Sequence, residues 1–125
     1  MDERLEKAVV KFVKTLFSGR YSDAERMIES LESRAKSDSE LKVARVLRGI
    51  HLSYTTDDAA SLVFRAFTAE DPKSELEEYL KSMREANGTL EEASEVMEVW
   101  EAILRNFDKL PEPDRYRKRA EAGPS

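Results

Sequence analysis

Between Phe17 and Ala24 the chain stops one helix and starts another, and this short turn restricts the fold more than any other stretch. Before it, Leu5, Val9, Phe12, Val13, Leu16 and Phe17 recur at the three- and four-residue spacing of one helix face. Asp2, Glu3 and Glu6 lie at the start of that run, where the helix macrodipole favours acids. Gly19 supplies the permissive backbone at which a helix ends. Ser22, followed three residues later by Glu25, reads as a capping box that opens a second helix through Ala24, Met27, Ile28 and Leu31. The pair predicts a helical hairpin.

The same grammar continues. Ser37 with Glu40 reads as another capping box, opening a third helix through Leu41, Ala44, Leu47, Ile50 and Leu52. Tyr54-Thr55-Thr56-Asp57 breaks it, and Thr56 or Asp57 caps a fourth helix over residues 57–70. Its segment from Ala59 to Phe67 is apolar almost all round, which predicts an element covered on most sides at the centre of the molecule. Asp71-Pro72 starts a fifth helix carrying Leu76, Tyr79, Leu80 and Met83, ended by Asn87-Gly88. Thr89 with Glu92 opens the sixth through Ala93, Val96, Met97, Trp100, Ile103, Leu104 and Phe107. No stretch alternates as a strand does. The expectation is an all-α fold of three consecutive antiparallel helical hairpins, six helices in one domain over residues 1–110. Residues 111–125 hold too little apolar content to pack and read as a flexible charged C-terminal tail.

Three small residues, Ala24, Ala60 and Ala93, stand 36 and 33 residues apart, close to the period of about 34 of helix-turn-helix repeats. With Gly19-Tyr21-Ala24-Ile28, Thr55-Asp57-Ala60-Phe64 and Gly88-Leu90-Ala93-Met97, and with Pro72 where a repeat often closes, the chain resembles the tetratricopeptide-repeat family. The match is best over residues 19–31. Phe12, Arg48 and Lys81 stand where that pattern places small residues in first helices, and Leu31, Phe67 and Trp100 where it places them late in second helices. The resemblance implies a solenoid whose first helices line a concave surface; an irregular closed bundle satisfies the same residue chemistry.

Charge supplies the functional reading. The first, third and fifth helices hold slightly more bases than acids, whereas the second, fourth and sixth are dominated by acids. Lys7, Lys11 and Lys14, in register with Arg4, form one basic stripe, and Lys42, Arg45 and Arg48, followed by His51, form another. Side by side in a solenoid, the stripes would make a basic groove holding carboxylates, so the chain reads as an adaptor that binds an acidic or extended segment of another protein. The alternative is a nucleic-acid-associated protein, whose basic stripes would act with Arg115, Tyr116, Arg117, Lys118 and Arg119. The net charge of −5 argues against wholesale nucleic-acid binding. The apolar face around Trp100 suggests a homodimer contact.

No nucleophile-and-base arrangement and no phosphate-cradling loop stands in the sequence, so no enzymatic activity and no cofactor are expected. His51, the single histidine, has no companions at metal-ligand spacing, and the acidic row Glu91, Glu95, Glu98 reads as a solvated face. There is no cysteine, and no leader or membrane span is recognisable, which points to a cytoplasmic protein. A charged fraction of 38%, two Asn and no Gln resemble thermophilic proteins.

Overall fold

Asp2, expected within the first turn, stands just ahead of it as the N-cap of α1 (Glu3–Phe17), its Oδ1 accepting the Leu5 N–H at 2.8 Å. The structure, a computed structural model, describes residues 1–87 and 91–116, with the side chains of 1–86 and 94–116. Gly19 takes φ +86° at the turn, the left-handed conformation that its place in the sequence requires. α2 then runs Tyr21–Arg34. Its N-cap is Arg20, without a side-chain cap bond, so the Ser22–Glu25 capping box does not form: the helix starts one residue before Ser22.

The Ser37 cap does form. Ser37 Oγ accepts the Glu40 N–H at 3.2 Å and starts α3 (Asp38–Thr55), with the return bond from the Glu40 carboxylate going to the Lys36 N–H rather than to that of Ser37. The fourth helix departs from expectation in both length and place. It is only α4 (Leu62–Phe67), capped by Ser61, and Asp57 turns the chain before it with φ +53°. Ala59 and Ala60 are exposed in that turn, so the apolar run is not a central element and the second repeat marker lies on no helix seam. Asp71 accepts the Ser74 N–H at 3.2 Å in front of α5 (Pro72–Asn87), and α6 (Glu91–Arg105) leads into a 3-10 turn (Phe107–Lys109). Gly88, Leu90 and the Thr89–Glu92 box lie outside the described residues, as does the side chain of Ala93. Among the described residues there is no strand.

The three hairpins do not stack in a row. α6 packs on α1 and α3 as well as on α5, closing the set into a bundle. In a solenoid each unit touches only its neighbours. Here the apolar face of α6 is covered by the first helix of the chain. Val9, Phe12, Val13 and Leu16 meet Ala24 and Ile28, Val43, Ala44 and Leu47, and Val99, Ala102 and Ile103 in one core. Trp100, at 5% exposure, belongs to that core with Val99 and Ile103, while Val96 and Phe107 on the face expected for a homodimer stay half-buried.

One end of the bundle is closed by aromatic rings. Phe17 lies 5.2 Å from Tyr54 and 4.9 Å from Phe67, and Phe67 stacks on Phe107 at 5.7 Å. Tyr116 completes the set, 5.1 Å from Tyr54 and 5.3 Å from Phe64, with 4% of its surface exposed. Residues 111–116 therefore do not belong to a mobile tail. An aromatic ring and a buried Pro113 are enough apolar surface to anchor so short a segment.

Candidate functional site

At the opposite end of α1 from the Gly19 turn, a groove of about 630 Å³ opens between α1, α2 and the start of α3. The antiparallel hairpin brings the beginning of α1 beside the end of α2, and the Ser37 cap brings in the beginning of α3. Leu5, Ala8 and Phe12, spaced three and four apart, put one α1 stripe on the floor. Met27 and Leu31 do the same from α2, and Leu47 closes it from α3. Phe12 and Leu47 are fully packed, whereas Ala8, Met27 and Leu31 remain half-exposed.

Four cations stand around this floor: Arg4 and Lys11 on α1, Arg34 at the end of α2 and Lys36 in the connection to α3. All four are exposed, and among the described residues none makes an ion pair. The acids of the lining are engaged by backbone. Asp2 caps α1, and Glu40 Oε2 accepts the Lys36 N–H at 3.4 Å.

The two predicted basic stripes are not brought together. Lys7 lies 3.6 Å from Glu3 on its own helix, Lys42 reaches across to Glu95 on α6 at 3.9 Å, and Arg48 pairs with Glu32 on α2. His51 Nε2 is 3.0 Å from the Tyr21 carbonyl oxygen, tying α3 to α2. Lys14 and Arg45 are exposed but do not line the groove, leaving Lys11 alone of the seven candidate residues at the site. A helix face rotates by 100° per residue, so a stripe that reads as continuous is shared among several neighbours in a closed bundle. Of the acidic row, Glu95 and Glu98 are engaged, Glu98 at 3.5 Å from the Met1 ammonium, and the side chain of Glu91 lies outside the described residues.

The other end of the bundle consumes the start of the basic C-terminal run. Asp114 is held by two phenols, Tyr21 donating to Oδ2 at 2.7 Å and Tyr54 to Oδ1 at 2.6 Å. The Arg115 N–H donates back to the Tyr54 oxygen at 3.1 Å, and its guanidinium grips Asp57 with two bonds of 3.2 and 2.7 Å. That pair supports the left-handed backbone of Asp57, and the guanidinium also lies 5.9 Å from the centre of the Tyr21 ring. Burial, then the bond to the Asp114 carboxylate, pushes the Tyr54 phenol well above its usual range, and Tyr21 moves the same way for the same reasons. Arg115 is raised, chiefly by its bonds to Asp57 and further by the neighbouring Tyr21. Arg115 and Tyr116 are thus internal clasps; Arg117, Lys118 and Arg119 lie outside the described residues.

No known protein family, curated protein or solved structure matches this chain. Its site is read from its own geometry. Among the described residues no helix is long and apolar enough to cross a membrane, and no group of three or more acids or histidines is placed to hold a metal ion.

Sequence reasoning placed Arg4 and Lys11 on one stripe but passed over Arg34 and Lys36, which sit in the acidic second helix and its exit. The signal available was their position. Both follow the last apolar residue of α2, where the chain turns back toward the start of α1.

Proposed function

We propose that the chain is a protein-binding module that seats an acidic segment of another protein in the groove between α1, α2 and the start of α3. One observation carries this reading: four cations without ion-pair partners among the described residues surround a half-exposed apolar floor on a chain whose net charge is −5. Lys7, Lys42 and Arg48 each stand beside a carboxylate, whereas these four share one rim. Apolar floor and cationic rim together suit a ligand with apolar anchors flanked by carboxylates. The acidic remainder of the surface repels such a segment elsewhere and steers it to this end. The expectation of a basic surface shared by the odd-numbered helices gives way to a smaller site built by one hairpin and its exit. The nucleic-acid alternative loses the support of Arg115 and Tyr116, which are engaged internally.

The test is anisotropy of a fluorescent peptide that combines Leu and Glu, titrated with the protein and with a Lys11→Glu, Arg34→Glu double variant. Both residues are exposed helix positions, so the variant is expected to fold. Saturable binding that weakens at least tenfold in the variant, about 1.4 kcal/mol, supports the reading. Equal binding by both proteins, or preference for a duplex DNA probe, refutes it.

A further inference from the structure

The occupant of the groove can be specified further, on the reading just given. We infer that it is an amphipathic α-helix with carboxylates seven residues apart, not an extended strand. Three features of the site lead there.

An extended segment carries unpaired backbone N–H and C=O groups and is held where a sheet edge or placed amides can satisfy them. The groove offers neither. Along α1 and α2 its walls are helix sides whose backbone groups bond within themselves, so that only the helix ends near Arg4, Arg34 and Glu40 leave groups outside helical bonding. Its floor is Leu, Ala, Phe and Met with the Ser30 hydroxyl, and none of its lining residues is Asn or Gln. A strand lying over such a floor would lose water from its backbone without replacement, at a cost on the order of 1–3 kcal/mol for each group left unpaired. A helix brings its hydrogen bonds with it.

The shape of the floor fits the same occupant. Ala8 lies between Leu5 and Phe12 on α1, a gap in the ridge, and Met27 and Leu31 form the facing ridge on α2. A row of side chains from a third helix seats in the channel between two such ridges. Met27 adds an unbranched, adaptable side chain where the incoming apolar residues would press.

The cations set the register. Arg4 and Lys11 are seven residues apart on α1, so their backbone positions are about 10.5 Å apart along the axis, close to two turns. A helix lying along α1 matches them with acids at i and i+7, and Arg34 and Lys36 meet its other flank. Leu or Ile at positions between those acids would fill the Ala8 gap.

The experiment is a display selection from a random peptide library about 16 residues long, some four turns of helix, panned on the full chain. Parallel panning uses Ala8→Trp, which fills the channel, and Lys11→Glu, which reverses one end of the register; circular dichroism checks that each remains folded. The expected outcome is enrichment lost on both variants, with apolar residues at i, i+3 or i+4 and i+7, acids seven apart, and helicity gained on mixing. Enriched sequences that depend on Ala8 and Lys11 but carry proline or alternate apolar and acidic residues overturn the helical occupant and leave the acidic-segment groove standing. Enrichment indifferent to both substitutions, or none, overturns the occupant and the groove together.

Discussion

Tyr54 shows how much one side chain is asked to do. Its ring packs between Phe17 and Tyr116, and its hydroxyl both donates to Asp114 and accepts the Arg115 N–H. Tyr54→Phe keeps the ring but orphans one carboxylate oxygen and one backbone donor. It should cost about 1–3 kcal/mol in chemical denaturation. The pH dependence has a definite sign. A phenol whose folded pKa is raised contributes stability in full below its unfolded value, about 10, and loses it as pH rises toward the folded value. Unfolding free energy should therefore fall above pH about 10, and Tyr54→Phe should flatten that decline. An unchanged alkaline slope in the variant would separate Tyr54 from the effect. Gly19 belongs to the same contact, since a Cβ there would stand 3.1 Å from Asp114 Oδ2 on a backbone already at positive φ. Turn geometry and C-terminal clasp therefore make the same demand for glycine.

At the scale of elements, residues 111–116 act as a strap across the aromatic end. Residues 111–113 are without regular structure and 114–116 are helical. The strap is held by Tyr116 among Tyr54 and Phe64, and by the paired carboxylates Asp114 and Asp57. Tyr116→Ala should lower stability by about 3–5 kcal/mol, the range for emptying a buried aromatic site, and differential scanning calorimetry reads it directly. A shift under about 1 kcal/mol would mean that the strap contributes little to the fold. The short α4 is the other lesson here. Ala59 and Ala60 continue the apolar run, but they have no surface to cover, and Ser61 supplies a better cap than Thr56 or Asp57. Tertiary packing sets where such a helix starts.

For the whole molecule, the decisive contact is the return of α6 onto α1. Arg105 bonds to Glu6 Oε1, and Asn106 Nδ2 donates to Glu6 Oε2 at 3.1 Å, so the two ends of the helical core meet at one carboxylate. The bonds from Arg105 and Asn106 hold Glu6 below its ordinary value of 4.5. A depressed carboxylate contributes stability above its unfolded pKa and loses it as pH falls through the folded value. Acidification below pH about 4.5 should weaken the closure, and Glu6→Gln should remove about 1 kcal/mol at neutral pH while flattening the acid limb. Equal acid sensitivity in the variant would place the closing energy in the apolar seam alone. Closure also explains the position of the groove. With α6 covering α1 and α3 on one side, the half-exposed Ala8 of α1 opens beside Met27 and Leu31 of α2, at the end where Arg34 and Lys36 emerge.

Much of the fold was legible in the order of residues. Periodicity gave six helices; Asp2, Ser37 and Pro72 gave three starts, and Gly19 one stop, because caps and turns are decided by bonds within a few residues. The site was legible only as single cations, Arg4 and Lys11. Which charges pair is settled between residues far apart in the chain: Lys42 with Glu95, Arg48 with Glu32, Arg105 with Glu6. Local chemistry fixed the turns at Gly19 and Ser37. Long-range packing alone decided that the helices close into a bundle, and with that which positive charges are spent and which still face solvent.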